Sequence, residues 1–281
     1  LLYLYFVLVM PSSEAAIQID PTIAALSRIA CIVSTFGTLI LIGALSDGDT
    51  REAEGKLAVE HERSESLLLN ILPATISDRL KSGHKSIADG FAEVSVVFAD
   101  IVGFTELSAR LPPAELVRIL NEVFSGFDDL ADRYGLEKIK TIGDAYMVAA
   151  GLPEVRPDHA QLAVRMALRM RDSLDALNRE KGYGIAIRIG VHSGPVVAGV
   201  IGKKKFIYDL WGDTVNTASR MESHGLKGAV HISEVTANLV KDYFELEPRG
   251  SITVKGKGEM ATFFVGAPKA PTVLPALQAR A

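Results

Sequence analysis

From about residue 91 the sequence predicts an α+β domain, on three observations. β-Branched runs alternate with amphipathic helical stretches, Gly-based turn signals separate the apolar runs, and the elements follow one another as β-α-β-β-α-β. That order is the split βαβ, or ferredoxin-like, arrangement, an antiparallel sheet with helices on one face.

Each element has a local reason. EVSVVFAD (93–100) is a β-branched run that ends in the acid Asp100. In PAELVRILNEVFSGFDDLADRYG (113–135), Leu116, Ile119, Leu120, Val123, Phe124, Phe127 and Leu130 recur at helical spacing, and Gly135 supplies the stop. LEKIKTIGDAYMVAAG (136–151) reads as two strands around a tight turn, and HAQLAVRMALRMRDSLDALNRE (159–180) as a second helix. IAIRIGVHSGPVVAGVIG (185–202) reads as a second strand pair interrupted at Gly194-Pro195. A helix within 212–224 follows, then strands near 229–232, 243–247, 251–255 and 261–266, and the end of the chain, 269–281, reads as a disordered tail.

The leading third has a different character. Residues 22–45, TIAALSRIACIVSTFGTLILIGAL, carry one charge, Arg28, and are long enough to cross a hydrocarbon layer about 30 Å thick. The alternative is a buried helix of a soluble core. LLYLYFVLVM (1–10) is apolar but half the length needed, and reads as the end of an earlier membrane helix, so 1–45 forms a membrane segment. The connector 11–21 holds Glu14 and Asp20 and no base, whereas Arg51, Lys56 and Arg63 follow the long apolar run; this charge bias places the C-terminal side in the cytoplasm, beneath the cell membrane. Residues 46–90 read as a helical linker. Leu57, Ser64 and Ile71 fall seven apart with Glu60 and Leu67 on the companion positions, a heptad compatible with a parallel two-helix stalk or with a monomeric connector. Pro73 interrupts the helix near Leu72.

Composition excludes some functions. Cys31 is the single cysteine, so no intrachain disulfide forms, and a net charge of −4 speaks against a nucleic-acid partner.

The chemistry begins at Asp100, where an apolar strand runs into Ile101, Val102, Gly103, Phe104 and Thr105 ahead of a helical stretch. A Gly turn at a helix start presents free backbone N–H groups, the physical basis of phosphate binding. A second acid, Asp144, lies on the 138–149 hairpin, which a ferredoxin-like sheet sets beside the first strand. Two carboxylates next to such a turn are hard oxygen ligands suited to two Mg²⁺ or Mn²⁺ ions. Taken singly, each aspartate could equally be a turn or cap residue. Asn216 and Arg220 lie four apart on one helix face, where Arg220 offers a permanently charged planar fork. GKKK (202–205) reads as a solvated hairpin tip, and His159 and His192 lack metal-ligand spacing.

FADIVGFT, KTIGDAYM, WGDTVNTASRMES and VKGKGEM, in this order and spacing, resemble the class III nucleotidyl cyclases, with a catalytic domain over 91–268. Membrane segment, stalk and domain together resemble the family's membrane-anchored, mycobacterial-type homodimeric adenylyl cyclases. The resemblance implies that Asp100 and Asp144 bind the two metals and that the backbone from Ile101 to Thr105 holds phosphates. It implies that Lys140 and Asp209 read the base, that Asn216 and Arg220 orient the ribose and stabilise the α-phosphate, and that Lys255 meets the terminal phosphates. A Lys donor beside an Asp acceptor complements adenine, whereas guanylyl relatives place Glu and Cys there, so ATP is the expected substrate. The implied reaction forms 3′,5′-cyclic AMP and pyrophosphate at sites shared across a homodimer. The competing readings are a guanylyl cyclase, a non-catalytic signalling module of the same fold, and a template-dependent polymerase, which would want a basic groove.

Overall fold

The structure is a computed structural model that describes residues 20–84, 86–202, 206–254 and 256–269. The expectations for 1–10, for most of the 11–21 connector, for Lys203 to Lys205, for Lys255 and for nearly all of the tail lie outside the described residues. The chain divides into two compact units, Leu1–Leu67 and Leu68–Ala281.

The first unit holds most of one uninterrupted helix, α1 (Pro21–Leu69). Its segment Pro21–Ala44 has a mean hydropathy of 1.9 and is unburied, so it is long and apolar enough to cross a membrane by length and composition. The Thr35 and Thr38 hydroxyls donate to the carbonyls of Cys31 and Ser34, both at 2.8 Å, so neither of these two hydroxyls is an unsatisfied donor on that apolar surface.

In the second unit Pro73 caps the short helix α2 (Ala74–Lys81), as its fixed φ and missing N–H favour. Then come β1 (Ile87–Val102), α3 (Phe104–Arg110), α4 (Pro113–Tyr134), β2 (Glu137–Ile142), β3 (Ala145–Ala150), α5 (His159–Lys181), β4 (Ala186–Val200) and β5 (Tyr208–Trp211). α6 (Asp213–Ser223), β6 (Val230–Ser233), α7 (Glu234–Val240), β7 (Phe244–Val254) and β8 (Gly258–Pro268) complete the fold. The sheet order is β2-β3-β1-β4-β6-β8-β7, with β5 on β4, so the first four strands take the predicted ferredoxin-like order.

Four details differ from expectation. Residues 186–200 form one strand, not an interrupted pair, because Pro195 falls where the β1–β4 register shifts between Phe91 and Val94; the missing N–H therefore breaks no regular ladder bond. The stretches 243–247 and 251–255 join into the single strand β7, whose pairing with β8 shifts register at Pro248/Gly250. The sheet is mixed, since β4 and β6 pair in parallel. Helices cover both faces rather than one. α4, α5 and α7 pack Phe127, Met166, Met170 and Val240 on one face, while Leu72, Ile76, Tyr208, Leu210 and Ala218 cover Val96, Phe98 and Met147 on the other. The near-continuous apolar run of β1 (Val94 to Ile101) is what a strand buried on both faces requires.

Candidate active site

β1 ends the site's first half. Asp100 pairs in register with Ala145, the residue after Asp144, so the two-residue turn between β2 and β3 delivers the second carboxylate beside the first. Burial pushes the Asp100 carboxyl above its usual range, the Asp144 charge adds to this, and Arg188 opposes both. Among the described residues no cluster of three or more His, Cys, Asp or Glu is suited to a metal. Two half-buried carboxylates nevertheless fit a hard divalent cation whose remaining ligands are water and substrate phosphate, as is usual for Mg²⁺.

Ile101 and Val102 are not loop residues as expected. They continue β1 and pair with Ile187 and Ala186 of β4, because their apolar side chains extend the strand. β3 begins only at Ala145, so beyond Asp100 β1 is paired on the β4 side alone. Gly103, at φ +76°, then turns the chain into α3, whose start no side chain caps. Phe104 and Thr105 lie in that first turn.

Arg188 was not expected. Its Nη2 donates to Asp100 Oδ2 at 3.0 Å and its Nε to Glu222 Oε1 at 2.9 Å, so one guanidinium spans two carboxylates. A charged residue inside the apolar run IAIRIGV, on a strand predicted to lie near Asp100, was the available signal. Burial raises the Glu222 carboxyl, against the pull of Arg188.

The second half of the site lies on β2, β5 and α6. Lys140 Nζ donates to Asp209 Oδ2 at 2.5 Å, and Asp209 Oδ1 accepts from Leu210 N at 2.8 Å, so the carboxylate is fixed from both sides. The expected base-reading pair thus stands together within one chain. On α6, Thr214, Thr217, Ala218, Met221 and Glu222 are buried, whereas Asn216 and Arg220 are exposed. Glu222 is two residues from Arg220, about 200° around a helix of 3.6 residues per turn. The structure therefore brings Asp100 and Asp144 together, and Lys140 with Asp209, but turns Asn216 and Arg220 away from the Glu222 side that reaches Asp100.

Two further contacts frame α6. Lys257 Nζ meets Asp213 Oδ2 at 2.5 Å and ties the β7–β8 turn to the start of the helix; Lys255, two residues earlier in sequence, is outside the described residues. His192 and His159 are buried and structural. His192 Nδ1 lies 2.6 Å from Ser233 Oγ, and His159 Nδ1 lies 2.9 Å from Ser95 Oγ.

The family described as Adenylate and Guanylate cyclase catalytic domain matches residues 87–267. An adenylate cyclase of Mycobacterium tuberculosis is 46% identical over 246 residues, which are 87% of this chain and 56% of that protein. The guanylate cyclase soluble subunit beta-2 of Rattus norvegicus is 44% identical over 219 residues, 77% of this chain and 32% of that protein. The chain therefore spans about half or less of the length of these curated relatives. Among solved structures, the guanylate cyclase domain of RhGC from Catenaria anguillulae in complex with GTP superposes with a TM-score of 0.62 at 44% identity, covering 64% of this chain and 100% of that one.

Proposed function

The chain belongs to the class III nucleotidyl cyclases, and from that premise we propose that it is an adenylyl cyclase converting ATP to 3′,5′-cyclic AMP and pyrophosphate. The adenylyl and guanylyl relatives are almost equally similar, at 46% and 44% identity, so the choice of purine rests on Lys140 and Asp209. Their pairing presents a donor and an acceptor side by side, the complement of an adenine ring nitrogen and exocyclic amine.

Asp100 and Asp144 would hold two Mg²⁺ or Mn²⁺ ions, which lower the pKa of an attacking hydroxyl and neutralise charge on the phosphates. The remaining steps fall to the chain itself. The backbone from Ile101 to Thr105 and the Lys255 side chain bind the triphosphate. Asn216 orients the ribose so that its 3′-oxygen attacks the α-phosphorus as the bond to the leaving pyrophosphate breaks. Arg220 stabilises the charge that builds on the α-phosphate.

One observation carries the further reading of a two-fold homodimer with shared sites. Asn216 and Arg220 stand exposed on α6, about 120° and 160° around the helix from Glu222, which faces Arg188 and Asp100, so one chain offers its two half-sites in different directions. A second copy brings Asn216 and Arg220 to the aspartates of the first. On this reading 1–45 anchors the protein in the cell membrane, 46–90 forms the stalk, 91–268 catalyses in the cytoplasm, and 269–281 is a tail.

The test mixes Asp144→Ala with Arg220→Ala, each inactive alone, and measures cyclic AMP formed from ATP. About a quarter of wild-type activity is expected, because half of a random mixture is heterodimer with one intact site of two. No recovery in a mixture shown to contain heterodimers sinks the shared site, and a wild-type product of cyclic GMP alone sinks the adenylyl assignment.

A further inference from the structure

Glu222 is the most buried carboxylate near the site, its side chain 11% exposed, and the proposed reaction gives it no task. Its placement is tightly determined. At Gly190, two residues along β4 from Arg188, an added Cβ would lie 2.0 Å from Glu222 N and 2.5 Å from Met221 C, so the end of α6 sits directly on the β4 backbone where only glycine fits. The Met221 carbonyl lies 2.7 Å from His231 Nδ1 on β6, a second pin on the same turn. Glu222 is thus anchored from two strands, and it grips the Nε edge of Arg188.

Among the described residues Arg188 is the cation in contact with Asp100, one of the two expected metal ligands, and it donates to that carboxylate at 3.0 Å. A guanidinium bound to Asp100 alone would compete with any divalent cation for that carboxylate. Glu222 divides its hydrogen bonds. It fixes the Nε edge from the α6 side, leaves one Nη2 contact to Asp100, and returns a negative charge to the cluster.

We propose that Glu222 is a positioning residue that acts through Arg188, holding the guanidinium partly away from Asp100 so that Asp100 and Asp144 remain open to divalent cations. The inference rests on the metal-binding reading of those two aspartates given above. It assigns the cluster a division of labour: two carboxylates face the cation, and a third, buried under α6, holds the intervening guanidinium.

The experiment is a double-mutant cycle on the full chain in detergent, read by Mn²⁺ binding in electron paramagnetic resonance titrations without nucleotide. Glu222→Gln keeps the shape and removes the charge, and should weaken Mn²⁺ binding about ten-fold, with the metal concentration for half-maximal activity rising in parallel and the KM for ATP within about two-fold. Glu222→Asp, which keeps the charge, should recover most of that loss. In an Arg188→Gln background, Glu222→Gln should change Mn²⁺ binding by less than about two-fold, because the residue it acts through is gone. Equal effects in both backgrounds would show a bare charge effect and overturn the proposal. So would a Glu222→Gln protein with a lower thermal midpoint and unchanged Mn²⁺ binding, which is what a purely structural role predicts. Should Glu222→Gln not fold, Glu222→Asp and the double variant, which has no unpaired charge of the pair left, decide the matter against Arg188→Gln. A wild type that makes no cyclic nucleotide refutes the proposed activity while the Mn²⁺ cycle still judges this inference. A wild type that binds no Mn²⁺ overturns the inference itself.

Discussion

On α6 the inward residues Thr214, Thr217, Ala218, Met221 and Glu222 are buried, whereas Asn216 and Arg220 stand in solvent. The inward face is determined by backbone contact: Gly190 beneath Glu222, His231 against the Met221 carbonyl, and the Glu222–Arg188–Asp100 chain of charges. The outward face makes no side-chain hydrogen bond through Asn216 or Arg220 among the described residues. Removing an inward group should therefore cost folding stability as well as activity, and removing an outward one activity alone. One helix thus separates what holds the domain together from what, on the proposed reading, it would offer to a partner.

The comparison is tested first where the effect is largest. Arg220→Ala should lower kcat about 10²- to 10³-fold, the range for losing a donor to a charge that grows in the transition state, while the thermal midpoint stays within a degree or two of wild type. A matching loss of stability would mean that Arg220 is also structural and that the two faces do not divide as described.

Gly190→Ala is the inward counterpart. A methyl group 2.0 Å from Glu222 N has no flexible neighbour to displace, so α6 must lift from β4. The expected cost is about 3 kcal/mol in urea unfolding, with activity lost in proportion as Arg188 and Asp100 move. Unchanged stability would show that the close seating of α6 on β4 is not required.

The same contrast explains what was legible in the sequence. The strand order and both helices of the β-α-β-β-α-β unit could be read because apolar period and turn residues are local properties, as in Leu116 to Leu130 or the Gly143 turn. Asp100, Asp144, Lys140 and Asp209 stood in contiguous motifs, and the structure brings each pair together. Arg188 and Glu222 did not stand out, because their significance lies in a pairing of β4 with α6 that no local pattern encodes. The second covered face of the sheet was missed for a related reason. β5 and α2 are short, and their burial depends on folding back over β1 and β3 rather than on a strong period of their own.

A smaller effect sharpens the difference between a buried carboxylate with a cation and a half-buried one without. Glu222 has Arg188, whereas Glu137, on β2 three residues before Lys140, has no ion pair among the described residues. Burial, with the nearby Asp132 charge adding to it, raises the Glu137 carboxyl from 4.5 to about 7. A folded-state pKa above the unfolded value means that the native protein keeps a proton which the unfolded chain has released. The resulting stabilisation is fully present below about pH 4.5 and is lost as pH rises through about 7. Partial exposure screens the group, so the loss between pH 5 and pH 8 should be about 1–2 kcal/mol rather than the full value of the shift. Glu137→Gln, neutral at every pH, should abolish that slope and be more stable than wild type at pH 8, as urea midpoints across the range would show. An identical slope in the two proteins would place the proton elsewhere. A half-buried glutamate would then tolerate its charge without a cation, and the pairing of Glu222 with Arg188 would need a reason other than the cost of burial.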